Sequence, residues 1–148
     1  YRLIGYENRD IADEDFRDDV DAGEIGAGDS VTALYEIKLW DDASLDAEAV
    51  IVRVRYQDPD SEEWVELSQS ISFAEFAGDF EDASLHFQLA AVVAEYAEIL
   101  RESYWAQDAS LEDVLVQAHR LEEYLFEDED VVEFVDLLER AVNLEAYD

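Results

Sequence analysis

The chain has 148 residues, 49% of them hydrophobic, and sets 41 Asp and Glu against nine Lys and Arg, a formal net charge of -32 at pH 7. Seven Phe, eight Tyr and three Trp supply the bulk for a folded core, which excludes the disorder that such a charge alone would suggest. The absence of Cys excludes disulfides, thiolate metal sites and a cysteine nucleophile, and the scarcity of basic residues argues against nucleic acid and anionic membrane surfaces, whose binding needs a basic patch.

Tyr1 to Glu7 reads as extended and, lying at the start of the chain, as an orphan edge strand. Residues 9–30 follow as a long acidic connection containing Gly23, Gly26 and Gly28, with one helical turn expected near Asp13 to Val20. In Val31 to Trp40, the residues Val31, Ala33, Tyr35, Ile37 and Leu39 alternate with Thr32, Glu36 and Lys38, the period of a half-buried strand. In Ala49 to Gln57, Val50, Val52, Val54 and Tyr56 oppose Ile51, Arg53, Arg55 and Gln57. Asp58-Pro59-Asp60-Ser61 places Pro where a type I turn wants it, and Glu63 to Phe73 then sets Val65, Leu67, Ile71 and Phe73 against Glu66, Ser68 and Ser70. These three segments predict an antiparallel meander.

From Ala83 the period becomes helical. Leu85, Leu89, Val92, Tyr96 and Ile99 form one stripe, widened by Ala90, Ala91, Val93, Ala94 and Leu100, so this helix is expected to be the most buried and to end near Ser103. Ser110 with Asp113 resembles a capping box and opens a helix that turns Leu111, Val114, Leu115, Ala118, Leu121 and Leu125 inward. A third helix is expected from about Asp130, with Glu133 in the capping position, burying Val131, Val135, Leu138 and Val142. Strands over residues 1–80 followed by three helices over 83–146 predict an α+β class: a small antiparallel sheet packed against three helices in a single domain, residues 1–148.

Few residues point to chemistry. Gly23-Glu24-Ile25-Gly26-Ala27-Gly28 invites comparison with a phosphate cradle, but no Lys-Ser/Thr follows, the next element reads as a strand, and Glu24 and Asp29 would oppose an anion. The pattern fits a backbone turn. Asp10, Asp13, Glu14, Asp15, Asp18, Asp19 and Asp21 could collect oxygen ligands for calcium, yet EF-hand spacing fails at Asp18, where Gly is wanted, and a solvated acidic loop accounts for them as well. Asp58, Asp60 and Glu62 read as a hairpin tip. His86 and His119 lack a second ligand at metal spacing, and Ser84 lies two residues from His86, positions that point apart on a helix. Among so many acids, a catalytic carboxylate pair has no distinguishing mark. The sequence therefore yields no catalytic, cofactor-binding or metal residue, and a carboxylate-based hydrolase is the weakest of its readings.

No run approaches the roughly 20 apolar residues needed to span a bilayer, the best being Leu89 to Ala94. Starting at Tyr1 and containing no Met, the chain reads as a segment of a longer protein. Its charge has two explanations. At about 1 M salt the Debye length is roughly 3 Å, so self-repulsion is screened, and acids spread along the chain beside a lone Lys38 favour salt adaptation. A dedicated acidic docking surface would concentrate charge in one block, which only residues 10–21 approach.

Tyr1-Arg2-Leu3-Ile4-Gly5-Tyr6-Glu7-Asn8-Arg9, Glu14-Asp15-Phe16, Asp21 to Gly28 and Val31 to Glu36 together resemble the C-terminal domain of the bacterial YfbK-type proteins. The similarity continues more loosely through Arg53 to Asp60, Ala90 to Leu100 and Ser110-Leu111. It implies a domain of unknown function that follows a von Willebrand factor type A domain in an extracytoplasmic, often lipid-anchored protein. The upstream domain would bind protein partners and a divalent cation through an Asp-x-Ser-x-Ser motif, which these 148 residues do not contain. Asp29 departs from the family's tendency to place His after Gly-Ala-Gly. The expectation is an accessory module that works by contact with protein, including the type A domain, with a calcium-stabilised adhesion module as the alternative.

Overall fold

The computed structural model describes residues 1–5, 25–26, 28–39, 47–76 and 78–145. They fall into two compact units, Tyr1–Gly78 and Asp79–Asp148. The first holds two small antiparallel sheets and the second three helices, an α+β fold.

In the first unit, β1 (Arg2–Leu3) pairs with β2 (Tyr35–Glu36), and β3 (Glu48–Gln57) pairs with β4 (Trp64–Ser72). The expected three-stranded meander is therefore replaced by two separate ribbons, and the first strand is not an orphan. β1 recruits the centre of the Val31–Trp40 segment in the register Arg2↔Glu36 and Leu3↔Tyr35, extended by Ile4 N–H donating to the Leu34 carbonyl at 2.8 Å. An ion pair between Arg2 and Glu36 and an edge-to-face contact of Tyr1 with Tyr35, 6.0 Å between centroids, hold the ribbon. A period of two says that a segment is extended; it does not name the partner strand. Pairing covers only two residues per strand, and Val31 and Leu39 stay exposed. The helical turn expected near Asp13 to Val20 lies outside the described residues.

In the second unit, single 3-10 turns at Phe80–Asp82 and Tyr104–Ala106 flank α1 (Leu85–Leu100), and α2 (Leu111–Leu125) and α3 (Glu129–Glu145) complete it. Ser84 caps α1 by accepting the Phe87 N–H, and Ser110 caps α2 by accepting that of Asp113. At the head of α3 the Asp128 carboxylate accepts the Asp130 N–H, so the cap falls two residues before the expected start. The core draws Val92 and Tyr96 from α1, Leu111, Val114, Ala118 and Leu121 from α2, and Val135 and Leu138 from α3. Tyr96 meets Phe134 edge to face at 5.8 Å, tying α1 to α3. The expected ranking is corrected here: α2, not α1, carries the most completely enclosed apolar side chains. The wider stripe of α1 outruns what two neighbouring helices can cover, and Phe87, Val93 and Leu100 remain exposed.

One buried polar group organises the start of α1. Gln88, 1% exposed, stands one turn before Val92 on the core face. Its amide nitrogen donates to the Glu81 and Ala83 carbonyls at 3.2 and 2.7 Å, and its oxygen accepts from Arg120 of α2 at 2.6 Å. Both amide donors and the amide oxygen are thus engaged, which offsets the cost of burial.

α1 ends in a Schellman motif, with Ser103 N–H donating to the Glu98 carbonyl and Glu102 N–H to that of Ile99. The left-handed position, usually Gly, is Glu102 at φ 54. Replacing it removes the Cβ penalty, so Glu102→Gly is expected to raise the unfolding free energy, measured by urea denaturation of the helical circular dichroism signal, by about 1 kcal/mol. Leu121→Ala, at a position with 0% exposure, is expected to lower the same unfolding free energy by about 2–5 kcal/mol, whereas Val116→Ala on the exposed face of α2 should change it by roughly 0.5 kcal/mol or less.

Candidate functional site

The candidate surface is built by the register of β3 and β4. Val50↔Ile71, Val52↔Gln69, Val54↔Leu67 and Tyr56↔Val65 are opposed pairs, so both alternations seen in the sequence fall in step. Side chains of opposed residues share a face, giving one face that is apolar except for Gln69. Val52, Val54, Tyr56 and Leu67 on it are 46%, 50%, 42% and 55% exposed. The other face pairs Ile51↔Ser70, Arg53↔Ser68, Arg55↔Glu66 and Gln57↔Trp64. There the Arg55 guanidinium lies 4.1 Å from the Trp64 ring centroid, a cation–π contact between diagonal neighbours. A register shift between Glu48 and Val50 ends the regular ladder.

Asp58 shapes the connecting loop. One of its carboxylate oxygens accepts from the Asp60 N–H, the Ser61 N–H and the Ser61 hydroxyl at 3.0, 2.8 and 3.0 Å. The Ser61 amide above all, then its hydroxyl and the Asp60 amide, hold the Asp58 pKa below its ordinary value. The loop closes through Glu62 N–H to the Asp58 carbonyl, one residue longer than a type I turn, with Glu62 at φ 58. Asp58, Asp60 and Glu62 thus form the hairpin tip that the sequence suggested, with the Asp58 carboxylate committed to its own loop. At the far end of β4, Glu75 accepts from the Ser72 amide and hydroxyl, both at 2.8 Å, and its pKa is lowered by the same cause, the amide first.

The remaining candidates are dispersed. At the glycine segment the Asp29 carboxylate accepts the Gly26 N–H at 3.1 Å while Asp29 N–H donates to the Gly26 carbonyl, and Gly28 takes φ 90. A Cβ on Gly26 would meet Asp29 Oδ2 at 2.6 Å. The segment binds its own carboxylate where a phosphate cradle would present a free amide. His86 is exposed on α1, and the Ser84 hydroxyl is engaged as a helix cap. His119 stands between carboxylates of two helices, Nδ1 3.4 Å from Glu122 and Nε2 3.3 Å from Glu139. With the acids at opposite ring nitrogens, the three groups do not converge on one ion, and no group of three or more potential ligands does so among the described residues. The acidic segment Asp10 to Asp21 lies outside the described residues. A cavity of about 290 Å³ lies over α3 beside Phe134, Leu137 and Arg140, rimmed by Asp130, Glu133 and Asp136, and none of these carboxylates is buried. No described helix is long and apolar enough to cross a membrane.

Comparison with known proteins converges on one family. The family model described as the C-terminal region of the uncharacterized protein YfbK matches residues 1–144. A curated relative, the uncharacterized protein YfbK of Escherichia coli (strain K12), is 31% identical over 132 residues, which cover 77% of this chain and 22% of the relative. The chain therefore matches less than a quarter of that relative's length. No solved structure matches.

The Asp58 hydrogen bonds make the hairpin sensitive to acid. A depressed pKa in the folded state means that the stabilisation is fully present above the ordinary value of 3.8 and is lost as pH falls through the lowered one. Asp58→Asn keeps an acceptor but loses the charge. The advantage of the wild type over this variant is expected to be largest near neutral pH and to vanish in acid. Urea unfolding read by Trp64 fluorescence, with Trp40→Phe and Trp105→Phe in both backgrounds, checks it; a difference independent of pH would contradict the assignment.

Proposed function

Because the chain belongs to the YfbK C-terminal family, we propose that it acts as a non-catalytic accessory module, working by protein–protein contact beside a von Willebrand factor type A domain in an extracytoplasmic bacterial protein. The observation that supports this most is the half-exposed apolar face of β3 and β4. A two-stranded hairpin is marginal in water by itself, and a face of Val, Leu, Ile and Tyr carries about 25 cal/mol of favourable transfer energy for each Å² that a partner covers. Val54 and Leu67 stand at the centre of that face, whereas the opposite face mixes Arg53, Arg55, Glu66, Gln57 and two Ser with the exposed Ile51 and Trp64. The type A domain and the address come from the sequence resemblance; the match to only part of a longer relative is compatible with a further domain as the first partner.

Hydroxyl-radical footprinting of the 148-residue chain and of the full-length product of its gene tests the contact. Oxidation of Val54, Tyr56 and Leu67 is expected to fall several-fold in the full-length product and to return with Leu67→Asp. Equal oxidation in both preparations removes this face as the contact.

The formal charge is read as adaptation to high salt. Thermal unfolding midpoints are expected to rise from low to molar NaCl, and to rise more than in sucrose of equal osmolality, which excludes itself from the surface without screening charge. An unchanged midpoint would refute salt adaptation.

A further inference from the structure

We draw no further inference here: the strongest candidate, the exposed apolar side chains of Leu100, Tyr104 and Trp105 following the buried stripe of α1, carries no proposal because nothing in the structure shows what covers it.

Discussion

The alignment of Val54 with Leu67 decides what the first unit can do. Side chains in a strand repeat every two residues, so a slip of one residue in either β3 or β4 would set Arg53 and Arg55 beside Val65, Leu67 and Ile71 and break the apolar face into a mixed one. One local device constrains the register: at the tip, Asp58 gathers three donors from the loop that joins the strands, while past the other end Glu75 gathers two from Ser72 and shapes the exit of β4. Both use a carboxylate to satisfy backbone amides that strand pairing leaves over, and both leave the strand between them to be chosen by side-chain packing.

The same use of acids recurs in the helical unit, where it moderates the problem set by a charge of -32. Asp128 accepts a backbone amide at the head of α3, and Asp113 accepts the Ser110 hydroxyl at the head of α2. Negative charge at these helix starts also meets the positive end of the helix dipole. Acids placed this way stabilise the fold locally. Others, such as Glu123 and Glu133 on exposed helix positions, contribute repulsion that counterions offset. The proposed salt dependence and the expected acid sensitivity would thus arise from different carboxylates: solvated ones for the first, amide-bound ones for the second.

Much of this architecture was legible in the sequence, and the parts that were not share a cause. The hairpin and all three helices follow from periods of two and of 3.6, because one-sided burial leaves that trace in the order of residues. The partner of the Val31–Trp40 segment could not be found this way, since Arg2 and Glu36 are distant in sequence and pair over only two residues. Gln88 had a signal that polarity concealed: it precedes Val92 and Tyr96 by steps of four, which puts it on the core face, and its burial depends on carbonyls and an Arg that no period marks. The end of α1 near Ser103 was legible, but its left-handed residue was not, because Glu102 is not the Gly that would have announced it. The placement of His119 against Glu139 required the packing of α2 on α3. Of the candidate surface, the composition of its face was readable and its exposure was not, because alternation is equally compatible with a covered and an uncovered sheet.

That last distinction separates contact from chemistry as the basis of function. A catalytic carboxylate needs an environment that holds its proton affinity away from the ordinary range while leaving the group accessible to a substrate. Asp58 and Glu75 are shifted, but their acceptor capacity is spent on neighbouring amides and hydroxyls and their shifts are downward, toward a fixed anion. Each is better suited to holding a turn than to exchanging a proton near neutrality. The apolar face between them has the complementary property: Val52, Val54, Tyr56 and Leu67 offer half-exposed area, the property on which the proposed association depends. The proposed role by contact rests on this combination of two turn-shaping acids, Asp58 and Glu75, with an aliphatic face.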